Sequence, residues 1–92
     1  MNDHQTGELT PMQRASAVRS AHQAELMAKA NVVGVGVGYR RVAGQQTDMV
    51  ALVVMVSQKL PGWQLGAEDV IPREIEGVPV DVQEVGRLDA HF

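Results

Sequence analysis

The sequence predicts an α+β domain, with one N-terminal helix packed on a mostly antiparallel sheet of three or four strands in two layers. Three observations predict it. A helix-start signature, "TPMQ", stands at residues 10–13. The apolar period falls from about 3.6 to about 2 at Asn31. The run "MVALVVMV", residues 49–56, is apolar on both faces, as a central strand is.

The helix comes first. Thr10 is placed to cap it, Pro11 suits the first helical position, and Gln13 completes a capping box with Thr10. The helix should run from Pro11 to Lys29 or Ala30. Ala15, Val18, His22 and Leu26 share one face, flanked by Met12 and Ala30. Alanine supplies much of that stripe, so the helix needs a sheet to lean on and can approach it closely. Residues 1–9 are polar and aperiodic and are expected to form a flexible tail. Residues 10–86 form a single domain, and residues 87–92 a C-terminal tail.

From Asn31 the side chains alternate. Val33, Val35, Val37 and Tyr39 point one way; Gly34, Gly36 and Gly38 point the other. Such dense glycine raises the question of a phosphate-cradling loop. A dinucleotide fingerprint needs G-x-G-x-x-G between a strand and a helix. Here the third glycine comes one residue early, and no helix start follows. No Lys-Ser or Lys-Thr pair follows either, as a P-loop requires. The glycines therefore read as a smooth packing face, with the preceding helix as its expected cover. Bulk at Gly36, the middle position, should overpack that contact.

The next strand, 49–56, should pair antiparallel with 32–40 across a short turn and bury both faces, Val53 included. "SQKLPGWQLGAEDVIP" is irregular, with one short helical turn in "LGAED". Glu76-Gly77 reads as a tight turn between a short strand at 71–75 and a strand at 78–85. Val78, Val80 and Val82 share a face of that strand; Pro79, Asp81 and Gln83 face away. Pro79 cannot donate to a ladder, so its nitrogen should face an open edge or a bulge.

Composition narrows the function. There is no cysteine, which removes disulfides, thiolate metal sites and cysteine nucleophiles. The net charge is −3 and the basic residues are scattered, so nucleic acid is not an expected partner. "MNDHQTGELTPMQR" lacks the pattern of a secretory signal, and the longest apolar run is too short to span a bilayer. A cytoplasmic protein with no membrane partner is the expectation. His22 and Glu25 have the spacing of half a carboxylate–histidine metal site, but a further ligand is missing. A half-buried structural histidine is the simpler reading. No serine stands in a nucleophile elbow. Glu68, Asp69, Glu74 and Glu76 read as a solvated rim. No catalytic, cofactor-binding or metal-ligating residue is assigned. Trp63, the single tryptophan, either anchors a partner or caps the end of a small core. The candidate packing or interface residues are Gly34, Gly36, Gly38, Trp63 and Pro79.

"ANVVGVGVGYR", "ALVVMVSQKLP" and "IPREIEGVPVDVQEVG" together resemble the segment that precedes the catalytic domain in bacterial trypsin-like serine peptidases and related small stand-alone proteins. The likeness covers residues 22–86. It implies a non-catalytic domain, because no G-D-S-G-G nucleophile motif is present. The leading expectation is a non-catalytic binding or assembly module that self-associates, since a thin-margin domain with open sheet edges gains by covering them. The alternative implied by the resemblance is an accessory, pro-segment-like or inhibitor-like domain acting on a trypsin-like peptidase. The expected partner is thus a second copy (a homo-oligomer) or another protein such as a peptidase.

Overall fold

A computed structural model describes residues 8–86; residues 1–7 of the expected tail at 1–9, and the expected tail at 87–92, with His4, His91 and Phe92, lie outside the described residues. Helix α1 spans Pro11–Met27. Strands β1 (Val32–Val42), β2 (Gln45–Val56), β3 (Glu74–Ile75) and β4 (Val78–Glu84) form one sheet in the order β1-β2-β4-β3. The β1–β2 and β3–β4 pairs are antiparallel, while β2 and β4 run parallel. The α+β class and the mostly antiparallel sheet expected from the sequence are the ones observed.

The capping box forms as read. The Gln13 amide donates to Thr10 Oγ1 at 3.1 Å, and the Thr10 amide to Gln13 Oε1 at 2.9 Å. Such caps satisfy amides that the first turn leaves without partners. The helix ends at Met27, before Lys29, and the chain reverses at Asn31, whose φ is +78°. Asparagine tolerates that left-handed conformation better than most residues. Two two-residue turns close the hairpins. Ala43 and Gly44 join β1 to β2; Glu76 and Gly77 (φ +50° and +83°) join β3 to β4. Positive φ at both central positions is what a tight hairpin turn demands, and glycine at the second position meets it without strain.

The core lies between α1 and one face of the sheet. Ala15, Val18 and Leu26 from α1 meet Leu52, Val54 and Val56 from β2, with Ile75 and Val78 closing one end. Val35, Val37, Val80 and Val82 pack against this cluster. The helix therefore covers the valine face of β1 rather than the glycine face expected to receive it. Glycine has no side chain to bury, and the free energy of docking comes from apolar area removed from water. Val53 is a second departure. It pairs with Gly36 on the outer face and is only half-buried; Ala51 is fully buried on that face, so the outer side of β2 is covered only in part.

Pro79 sits at neither an open edge nor a bulge. The Val80 amide donates to the Arg73 carbonyl on the β3 side, so the Pro79 nitrogen faces β2. The β2–β4 ladder begins only one residue later, at Leu52↔Val80. The missing donor thus falls where the ladder has not started. Among the described residues, no helix is long and apolar enough to cross a membrane.

The burial pattern separates neighbours on β2. Leu52, with no exposed surface, should lose about 2–5 kcal/mol on truncation to alanine. Val53→Ala, on the outer face, should cost about 1 kcal/mol or less. Urea denaturation of both variants checks this, and equal losses would refute the one-sided core.

Candidate functional site

The parallel β2–β4 pair needs a connection that crosses from one end of the sheet to the other. Residues 57–73 supply it with two short 3-10 turns, Gly62–Gln64 and Ala67–Asp69. The first of these was not read from the sequence; the second coincides with the turn expected in "LGAED". The segment is strapped to the end of α1. Lys29 Nζ donates to the Glu68 carbonyl at 2.6 Å, and the Ala30 amide to Asp69 Oδ1 at 2.9 Å. Asn31 Nδ2 donates to the Gln58 carbonyl, and Ser57 Oγ to Asn31 Oδ1. The Lys59 amide reaches Glu84 Oε1 at 2.9 Å, tying the segment to β4.

These straps hold open an apolar cleft of about 360 Å³ at the carboxyl ends of β2 and β4. Ala30, Val56, Leu60, Leu65, Val70 and Val82 supply apolar lining. The carboxyl ends of parallel strands are where open α/β sheets most often place ligand crevices. Beside the cleft, on the Gly62–Gln64 turn, stands Trp63 with 81% of its surface exposed. It does not cap the core of its own chain. Val33, Val70 and Val85 are also exposed near this end of the sheet. Trp63 was visible as a candidate in the sequence. The cleft was not, because its walls come from the turn after α1, from β2 and β4, and from the crossover together.

The glycine face lies on the other side of the sheet. A Cβ added at Gly34 would come within 2.8 Å of Met55 Cε, and one at Gly38 within 3.3 Å of Val53 Cγ2. At Gly36 it would meet nothing within 4 Å. Gly36 is therefore the most open of the three, not the most confined, and α1 lies across the sheet from it. Further along, β2 carries Thr47, Asp48 and Met49 against Arg40 alone, between the pairs Tyr39↔Val50 and Arg41↔Gln46. Extra residues on one strand bend it. The Arg41 amide there donates to Asp81 Oδ2 at 3.0 Å, and Gln83 Nε2 donates to the same oxygen at 3.0 Å. Asp81 thus pins the bent hairpin to β4 from across β2.

A third cluster fastens α1 to the β3–β4 turn. His22 Nε2 lies 2.7 Å from Glu76 Oε2, and its Nδ1 lies 3.2 Å from Glu25 Oε1. The carboxylates engage opposite ring nitrogens, so they flank the imidazole rather than converge on one metal position. Among the described residues, no group of three or more histidine and acidic side chains is placed to hold a metal ion. The sequence showed the local half, His22 and Glu25. Glu76 is far along the chain and no spacing rule reaches it. Hydrogen bonds from Glu76 first and Glu25 second raise the His22 pKa above its ordinary value of 6.5.

These features define a small α+β domain with a sheet covered on one face and an irregular crossover bearing an exposed indole. The chain belongs to the family of the NARROW LEAF 1 N-terminal domain, whose model matches residues 12–84. No curated protein matches it. The family match corrects the resemblance to the segment preceding trypsin-like peptidase domains. The motifs behind that resemblance are strand patterns, and valine alternating with glycine or a polar residue suits many half-buried strands. The expectation of a peptidase as partner loses its footing with it.

Two outcomes follow from this geometry. Gly36→Val should raise the melting temperature, since valine favours a strand by up to about 1 kcal/mol and its Cβ meets nothing within 4 Å. Gly34→Val should gain less or lose, because Met55 must move; calorimetry of the pair tests the contrast. The His22 clamp should also give a signed pH dependence. Its folded pKa is raised, so its stabilisation is full below about 6.5 and fades as pH rises through the folded value. Urea midpoints taken from about pH 6 to about pH 8 should fall in the parent. His22→Gln should remove that part of the slope, and an unchanged slope would show that the clamp contributes nothing.

Proposed function

We propose that this domain is a non-catalytic binding and assembly module that associates with a second copy of itself. One observation supports the reading above the others: Trp63 is 81% exposed on a strapped segment, at an end of the sheet where Val33, Val70 and Val85 are exposed as well. Scattered apolar residues are ordinary on a protein surface. An indole held out beside an apolar cleft is not, and tryptophan is among the residues most enriched where interfaces concentrate their energy. Size points the same way. A single small domain without disulfides gains from covering apolar surface that its own core cannot reach. The histidine and carboxylate groups near the cleft and helix are engaged in strapping the fold, which suits a binding role better than acid–base chemistry.

Sedimentation velocity over a wide dilution series at micromolar concentration tests the reading. A mass that moves between one and two chains as concentration rises is the expected result. A single chain at every concentration would refute it.

A further inference from the structure

We propose that two copies join along the open edge of β1, with the two β1 strands antiparallel about a two-fold axis at Val37, so that the two sheets become one. This rests on self-association and goes beyond it by naming the strand, the register and the bonds. β1 is an outer strand of the sheet, and its 11 residues far exceed the 2 of β3, the outer strand on the other side. The neighbouring ladders show which of its backbone groups are free. The Val85 amide donates to the Val56 carbonyl, so Val56 and, by alternation, Val54 and Leu52 turn their backbone groups to β4. Met55, Val53 and Ala51 therefore turn theirs to β1, where they face Gly34, Gly36 and Gly38. The amides and carbonyls of Val35, Val37 and Tyr39 are left pointing out from the edge, and among the described residues no partner meets them.

An open edge of this kind is a template for another strand, and proteins ordinarily blunt it with proline, charge, a bulge or brevity. Residues 32–39, VVGVGVGY, carry no proline and no charge. The irregularities of the β1–β2 ladder fall between Val32 and Gly34 and between Tyr39 and Arg41, and leave the stretch from Gly34 to Tyr39 regular. That stretch is its own complement. A register centred on Val37 pairs all three outward residues with each other: Val37 with Val37, and Val35 with Tyr39 in both directions. Each pair exchanges two main-chain hydrogen bonds. Moving the centre to Gly36 brings in Val33, which sits in the irregularity. Moving it to Gly38 brings in Arg41, whose amide is taken by Asp81. The register at Val37 sets Arg40 opposite Gly34 and Arg41 opposite Val33, so no like charges meet across the pair.

The helices favour the same contact. His22 and Lys29 turn one flank of α1 toward the β3–β4 turn and the crossover. The opposite flank, with Met12, Ser16, Gln23 and Met27 at helical spacing and both methionines exposed, lies on the β1 side. The two-fold axis puts both helices on one face of the joined sheet with those flanks toward each other. Main-chain bonds carry most of the affinity, as in strand addition generally, and a dissociation constant on the order of micromolar is expected.

The test uses the full chain. In the parent, amide hydrogen exchange at Val35, Val37 and Tyr39 should slow as concentration rises through the dimer transition, because only the second copy protects them. Tyr39→Pro removes an outward amide and no bond to β2, so it should stay folded by circular dichroism while its dissociation constant rises on the order of 100-fold. The chain has no cysteine, so Val37→Cys introduces a single thiol. The register sets it opposite its own copy at roughly the 5.5 Å Cα separation that a disulfide spans. It should cross-link into dimers on mild oxidation, whereas Tyr39→Cys, whose two thiols stand well apart along the paired strands, should not. A parent that is monomeric at every concentration overturns self-association and edge pairing together. It leaves the edge to an extended segment of another protein. A parent that dimerises with exchange at the three amides independent of concentration overturns the edge pairing alone and leaves self-association standing. So does a folded Tyr39→Pro that dimerises as the parent does, or a Tyr39→Cys that cross-links as readily as Val37→Cys.

Discussion

The parallel pairing of β2 with β4 is the constraint on which the rest of the structure depends. Antiparallel neighbours can be joined by two residues, as β1 and β2 are here. Parallel neighbours cannot, because the chain must return to the end of the sheet where it started. In many α/β proteins a helix makes that return and covers one face. Here the helix that covers the core comes before the sheet, and the crossover is left as an irregular segment with two short turns. It has no long apolar stripe of its own. It is held by hydrogen bonds to the end of α1 and to β4, and this leaves a cleft rather than a packed layer beneath it.

The sequence was legible where the physics is local. The capping box at Thr10 and Gln13, the two-residue turn at Glu76-Gly77, and the alternation of Val35 and Val37 with Gly34 and Gly36 each follow from residues a few positions apart. It was opaque where partners come from far along the chain. Glu76 closes on His22 across 54 positions, and Lys29 reaches Glu68 across 39. No periodicity encodes either. The glycine face shows how a correct local reading still left the packing wrong. The alternation holds from Gly34 to Gly38, but an irregularity at Val33 exposes that residue and turns Val32 to the core instead; and smoothness alone is no reason for a helix to cover the small residues. Close approach permits packing; it does not drive it. The valines carried the apolar area, and the helix went to them.

Three clusters of polar contacts, read together, give α1 a second role beyond covering the sheet. Its buried stripe is short: Ala15, Val18 and Leu26. Its half-buried and terminal polar groups hold distant segments in place. His22 grips the β3–β4 turn, while Lys29 and the amide of Ala30 just past its end grip the second turn of the crossover. Most of these contacts are exposed and individually weak. Their value is geometric, since each fixes a segment that has few buried side chains of its own. A helix with a poor apolar stripe is thereby still specified in position and register.

This arrangement also explains how a sequence with so few aromatic residues can leave its only tryptophan outside. The core is filled by valine, leucine, isoleucine and alanine, whose compact side chains suit the narrow space between one helix and one sheet face. An indole in that space would force the layers apart, and overpacking a close-fitted core is costly. On the crossover, Trp63 costs the core nothing and gains no burial within the chain. Selection for stability alone would favour a smaller or polar residue there, because exposed tryptophan invites aggregation. Its position on a turn fixed at both ends, next to a cavity walled by Val56, Leu60 and Val70, leaves it facing solvent while the layers of the core close without it.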